Sequence, residues 1–196
     1  MAVAPLDLSH STLIVWDMQN GIGAMAFNRS EIVPRIAALR ATYRARGLPV
    51  VFSQHTTLPE GWANPAMARS MERRGMRPGS FRLTPGSAEW AILPELAPAD
   101  DELVLPKTTP SFFVGTPLES LLRFRGIDTL VLTGVATEAG ILGTARHAVN
   151  LGFHPLVVED AVGSRSAEGH EGGLAALRAF CDVEPSSSVL GRLKGP

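Results

Sequence analysis

A chain of 196 residues, 45% hydrophobic and 19% charged, holds enough apolar material for one sizeable core and is too short for two ordinary domains. Its 18 basic and 19 acidic residues leave a formal net charge of −1, which gives no electrostatic case for nucleic acid or an anionic membrane surface as a partner. The single cysteine, Cys181, excludes an intrachain disulfide and a cysteine-rich metal site. No apolar run approaches bilayer length, and the first ten residues lack the basic start and apolar middle of a secretory signal, so the cytoplasm is the expected compartment.

Residues 11–16 form an apolar run that stops at Asp17-Met-Gln-Asn-Gly21, the pattern of a central strand ending at a functional edge. A helix is predicted over 30–46: Ser30-Glu31 opens it, Ile32, Ile36 and Leu39 recur on one face, and Gly47 stops it. Residues 49–53 predict a second buried strand. From 54 to 101 the pattern loosens into a Pro-, Gly-, Arg- and Met-rich segment, with one short helix expected over 88–93; such segments serve as lids or pocket walls. Arg69, Arg73, Arg74, Arg77 and Arg82 lie here with Trp62, Phe81 and Trp90. That mixture can bind a carboxylate-bearing ring, although solvated surface arginines are the commoner case.

A third strand is predicted over 102–105, ended by Pro106-Lys107. Thr116, Pro117 and Glu119 then have the spacing of a capping box for a helix that Gly126 closes. Residues 130–147 read as strand, tight turn and helix, the turn from Gly134 to Gly140 lying at the carboxyl end of a buried strand. Residues 154–159 predict a fifth strand, Ser164 or Ser166 opens a helix through Arg178, and 180–184 predict a short sixth strand. Strands alternating with helices call for a parallel sheet with helices on both faces, and open sheets of this kind keep their sites at the carboxyl edge. Cys181 sits at the far end of the last unit and reads as a small packed residue.

Asp17-Met-Gln-Asn, the segment Leu105-Pro-Lys-Thr-Thr-Pro-Ser-Phe-Phe113 and the strand-turn-helix of 130–147 together resemble the isochorismatase-like hydrolases over nearly the whole chain. The resemblance implies one domain over 1–196: a three-layer α/β/α, Rossmann-like sandwich around a doubly wound, mainly parallel sheet of about six strands in the order 3-2-1-4-5-6. It implies catalytic roles for Asp17 and Lys107 and places Gly140 where cysteine-hydrolase members keep their nucleophile. It further implies substrate contacts from Gln19, His55, Phe113, Val135, Ala136 and Thr137, a cis peptide between Val135 and Ala136, no cofactor, and assembly as a dimer or tetramer. Phe112 and Phe113 fit such assembly if exposed, and burial within the monomer explains them equally. Metal-binding relatives place a carboxylate two residues before a histidine and a second histidine after it; Ser53-Gln54-His55-Thr56 lacks both, so no metal is expected.

Glycine cannot attack, so Asp17 must act on substrate or on water directly, with Lys107 beside it and the N–H groups of Ala136 and Gly140 available to hold negative charge or a water. The isochorismatases suggest one route: protonation of an enol ether, with Gly140 leaving room for the enolpyruvyl group, although those enzymes carry Tyr-Ala-His where this chain has Ala136-Thr137-Glu138. The first reading is thus a small-metabolite hydrolase that needs no cysteine. The alternatives are a relative that has lapsed into ligand binding, and a cysteine amidase disabled by exchange of its cysteine for Gly140.

Overall fold

The computed structural model describes residues 4–73, 75 and 82–194. Six strands, β1 (Ser11–Trp16), β2 (Val50–His55), β3 (Leu103–Lys107), β4 (Thr129–Val135), β5 (His154–Gly163) and β6 (Asp182–Glu184), form one sheet in the order β3-β2-β1-β4-β5-β6, every neighbouring pair parallel. Every residue of β1 and β4 is buried, which is why these continuous apolar runs take the centre of a sheet covered on both faces. On one face Val15, Val131 and Val158 pack beneath α2 (Arg29–Ala45) and α7 (Ser186–Lys194). On the other, Ile14, Trp16 and Leu132 pack beneath α4 (Leu118–Phe124), α5 (Leu142–Asn150) and α6 (Ala167–Arg178). The expected sandwich and strand order are observed. Two short helices, α1 (Asn20–Gly23) and α3 (Pro65–Arg73), lie in the connections.

Local differences from the sequence reading have identifiable causes. Residues 88–93 form turns instead of a helix, because their carbonyls are used elsewhere: Ala88 O accepts from Asn20 Nδ2, Glu89 O from Gly21 N, Ala91 O from Asn20 N, and Trp90 O from both Gln19 and Gln54 side-chain amides. The helix of the long segment is α3, whose start is fixed by Asn64 Oδ1 accepting from Ala66 N and Met67 N. At α4, Thr116 Oγ1 accepts from Leu118 N as expected, but Glu119 pairs with Arg123 and closes no capping box. Ser166, not Ser164, is the N-cap of α6. β5 runs on past Asp160 to Gly163, with a register shift against β4 between Leu132 and Gly134. Phe112 and Phe113 are both buried in the monomer, so they offer no surface for assembly. Among the described residues no helix is long and apolar enough to cross a membrane.

Candidate active site

Parallel register delivers the site. Val15 pairs with Phe52 and His55 with Lys107, so the residues just beyond β1, on β2 and at the end of β3 converge at one carboxyl edge. Asp17 ends β1 in the left-handed region at φ 46°, which favours glycine over a branched side chain and occurs at positions the surrounding structure holds in place. Its carboxylate is held from two sides: Oδ1 accepts from Ser53 Oγ at 2.6 Å and Oδ2 from Lys107 Nζ at 2.6 Å, while the Asp17 N–H donates back to Ser53 Oγ at 3.0 Å. Both members of the ion pair are buried, Asp17 at 5% and Lys107 at 3% exposure. Burial pushes the Lys107 ammonium below its ordinary range and the adjacent carboxylate partly restores it. Lys107 Nζ also stands 4.2 Å from the centroid of the Trp16 ring, a cation–π contact.

The floor is the turn after β4. Gly134, at φ 107°, brings β4 so close to β1 that a Cβ there would lie 2.2 Å from Trp16 O. The Val135–Ala136 peptide is cis, as the resemblance implies. Residues Thr137–Ile141 then wind as a single π turn into α5. A Cβ added at Gly140 would lie 2.0 Å from Trp16 Nε1 and 2.2 Å from Cε2. The space that a side chain at this position would take is filled by the Trp16 indole, which packs edge-on against Phe112 at 5.5 Å. The side-chain direction at Gly140 is therefore filled, and it is the rest of this residue that lines the cavity.

Above this floor lies a cavity of about 450 Å³. Of the residues singled out from sequence, Asp17, His55, Lys107, Val135, Ala136 and Gly140 line it. Three others do not. Gln19 is a clamp: its Nε2 donates to His55 O and Trp90 O and its Oε1 accepts from His55 N. Thr137 is buried with Oγ1 bonded to Gly163 O and His170 Nδ1, and Phe113 packs between His147 and Phe153. Arg69, Arg73 and Arg82 are exposed and do not reach the cavity, while Arg74, Arg77 and Phe81 lie outside the described residues. Trp62 is 78% exposed, and Trp90 Nε1 donates to Thr56 Oγ1. Cys181 is remote, its thiol pushed up to about 12 by burial and its Sγ set against Leu177 O. Among the described residues no three His, Cys, Asp or Glu side chains gather as a metal site. Sequence reasoning missed Ser53, Trp16, Ser164 and Arg165, the last two reaching the cavity from the turn before α6.

His55 is held neutral: burial, helped by the Lys107 charge, lowers it to about 4 against the nearby Asp17. The unfolded chain then takes up this proton first, so stability is complete above about pH 6.5 and is lost as pH falls toward 4, by up to about 3 kcal/mol. His55→Gln is expected to remove that slope, read as urea-unfolding free energies at about pH 7 and pH 4.5. An unchanged slope would assign the acid sensitivity to other groups.

A profile of the isochorismatase domain matches residues 11–187. The chain is 34% identical to the uncharacterized isochorismatase family protein YecD of Escherichia coli O157:H7, over 86% of this chain and 88% of that one. It is 30% identical to the ureidoacrylate amidohydrolase RutB of Methylobacterium radiotolerans, over 95% of this chain and 81% of the relative. Among solved structures, an isochorismatase family protein from Burkholderia thailandensis superposes with a TM-score of 0.83 at 30% identity, covering 98% of this chain and all of that one. A cysteine hydrolase from Pseudomonas syringae pv. phaseolicola gives 0.85 at 22% identity, covering 98% and 96%, and shares the fold. On the profile match, the identity to these relatives and a sheet that carries Asp17 and Lys107 to one edge, the chain belongs to the isochorismatase family.

Proposed function

We propose that this protein hydrolyses a small metabolite without a cysteine nucleophile, water being activated by Asp17. The observation that carries the reading is the indole at the nucleophile's position: Gly140 and Trp16 fit each other, so the missing thiol belongs to a packed arrangement and not to a gap left by one exchange. With both oxygens accepting, from Lys107 and Ser53, the Asp17 carboxylate is set to take a proton from a water in the cavity as that water attacks a carbonyl-type carbon, and to hand the proton to the leaving group as the tetrahedral adduct breaks its bond to it. The Lys107 ammonium, 2.6 Å from Oδ2, keeps the carboxylate in place for that transfer.

Enol-ether hydrolysis of an isochorismate-type substrate is the second reading. The 2.6 Å contact between Lys107 Nζ and Asp17 Oδ2 favours it, because a proton crossing that contact leaves the neutral acid that such chemistry starts from, and burial of Lys107 works in that direction. Asp17 would give this proton to the vinyl carbon, water would add to the oxocarbenium ion and return a proton to Asp17, and the resulting hemiketal would break its C–O bond, its hydroxyl proton passing to the departing alcohol oxygen as the ketone forms.

The test is a turnover screen over isochorismate and a panel of small amides, with Asp17→Asn beside the wild type. Hydrolysis that Asp17→Asn lowers by about a hundredfold or more supports the proposal. For the substrate found, a rate that rises with pH through the controlling ionisation supports Asp17 as base, and one that falls supports it as acid. Turnover untouched by Asp17→Asn would overturn both readings, and a ligand held with no turnover would mark a binding protein.

A further inference from the structure

α3 is amphipathic, yet none of its residues is fully buried. Met67, Ala68 and Met71 are half-buried and the rest of the helix is exposed. Met67 and Met71, four residues apart, share one face, and both line the cavity that Asp17 and Lys107 also line. A stripe of this kind on a surface helix ordinarily packs into the core; here it faces the cavity instead. Ile22 and Met25, from α1 and the turn after it, line the same cavity, so three of the chain's six methionines meet whatever enters it. The charged residues of the lining are Asp17, Glu138, Lys107 and Arg165, two of each sign, and His55 is held neutral, so the wall has no excess charge with which to draw an ion.

We propose that Met25, Met67 and Met71 form a subsite for an uncharged, apolar aromatic body of about two rings, carried by the substrate whose polar end lies at Asp17. This deepens, and rests on, the hydrolase reading. Size is the first ground. A dry apolar cavity on the order of 150 Å³ takes one benzene. The cavity of about 450 Å³ therefore has room for two fused rings and the reacting group. Chemistry is the second. Thioether side chains adapt their shape to what they touch and make favourable contacts with aromatic rings. A ring set against Met67 and Met71 gives the apolar stripe of α3 the packing that the described residues do not supply, and takes that surface out of water. A small polar substrate would leave the methionines against water and gain nothing from them. The three do no chemistry; they select and orient the body while the other end lies at Asp17.

Binding of the neutral probe N-phenyl-1-naphthylamine, read as the rise and blue shift of its emission, tests the subsite. Wild type is compared with paired Met67→Gln and Met71→Gln, with paired Met67→Leu and Met71→Leu, with Met25→Gln, and with Val149→Gln, an apolar position 42% exposed on α5 and outside the cavity lining. Glutamine and leucine both suit a helix, and thermal unfolding of each variant checks folding. The glutamine pair is expected to weaken the probe by at least about tenfold and Met25→Gln by about fivefold, whereas the leucine pair stays within about threefold of wild type and Val149→Gln has no effect. If the glutamine pair fails to fold, Met25→Gln and the wild-type titration still decide. Because binding is read without turnover, failure here leaves the hydrolase reading standing, and the turnover screen can fail with probe binding intact. No emission rise with wild type, a glutamine pair that binds as wild type does, equal losses in the glutamine and leucine pairs, or a loss in Val149→Gln as large as in the glutamine pair would overturn the proposal.

Discussion

Lys107→Met is expected to lower stability by about 3–5 kcal/mol and to remove turnover, and adding Asp17→Asn is expected to return much of the stability and none of the turnover. The first effect follows from burial. With the ammonium gone, the Asp17 carboxylate keeps Ser53 as a partner on Oδ1 and has nothing to offset its charge on Oδ2, in a site where neither side chain meets much water. Methionine retains most of the lysine's length and can set its thioether end toward the Trp16 ring over which the ammonium stands, so lost packing is a minor part of the change. Asparagine at position 17 removes the stranded charge and can still accept from Ser53 through its Oδ1, leaving one amide donor to be satisfied from the cavity. Chemical denaturation of the two single variants and the double variant closes the cycle, with a coupling of at least about 2 kcal/mol expected. Additive losses would mean that the 2.6 Å contact does not tie the two groups energetically, and would take away the electrostatic basis for proton transfer at Asp17.

What the sequence made legible here is what depends on local pattern. β1 and β4 are continuous apolar runs bounded by polar or glycine residues, and their burial on both faces follows from that pattern alone. Asp17 follows such a run and Lys107 ends the edge strand β3, so parallel pairing through β2 brings them together whatever the sequence distance. The elements that escaped detection are those fixed by distant partners. Residues 88–93 have the composition of a short helix, but Gln19, Asn20, Gly21 and Gln54 compete successfully for their carbonyls. α7 was missed because its start is capped from another strand: Asp160 Oδ1 accepts from Ser186 N and Oδ2 from Ser186 Oγ, both at 2.7 Å. The same holds for the site. Ser53 looks like any buried strand serine until the register sets it beside Asp17, and Trp16 looks like core until Gly140 is found beneath it.

Gly140→Cys in the wild-type background is expected to destabilise the protein by about 3 kcal/mol or more and to give no thiol-dependent activity, while the same exchange beside Trp16→Val is expected to be tolerated far better. The indole is 1% exposed and fixed by Phe112 on its edge and Lys107 over its face, so it has no free direction in which to retreat from a Cβ that would approach to 2.0 Å. Either the ring moves and disturbs the lysine above it, or the π turn is forced away from β1. Trp16→Val alone opens a void and is expected to cost about 3–5 kcal/mol, the range for truncating a large buried aromatic. In the double variant the new side chain occupies part of that void, so the sum of the single losses should exceed the measured loss by at least about 2 kcal/mol. Thiol reactivity toward a small alkylating reagent and amide hydrolysis, measured on all three variants, report whether a cysteine in that position reaches the cavity. Amidase activity confined to the double variant would show that Trp16, and not the absent cysteine alone, separates this site from a thiol hydrolase. A Gly140→Cys single variant with full stability and amidase activity would show the opposite: an indole that yields freely, and a site in which glycine merely replaced the nucleophile.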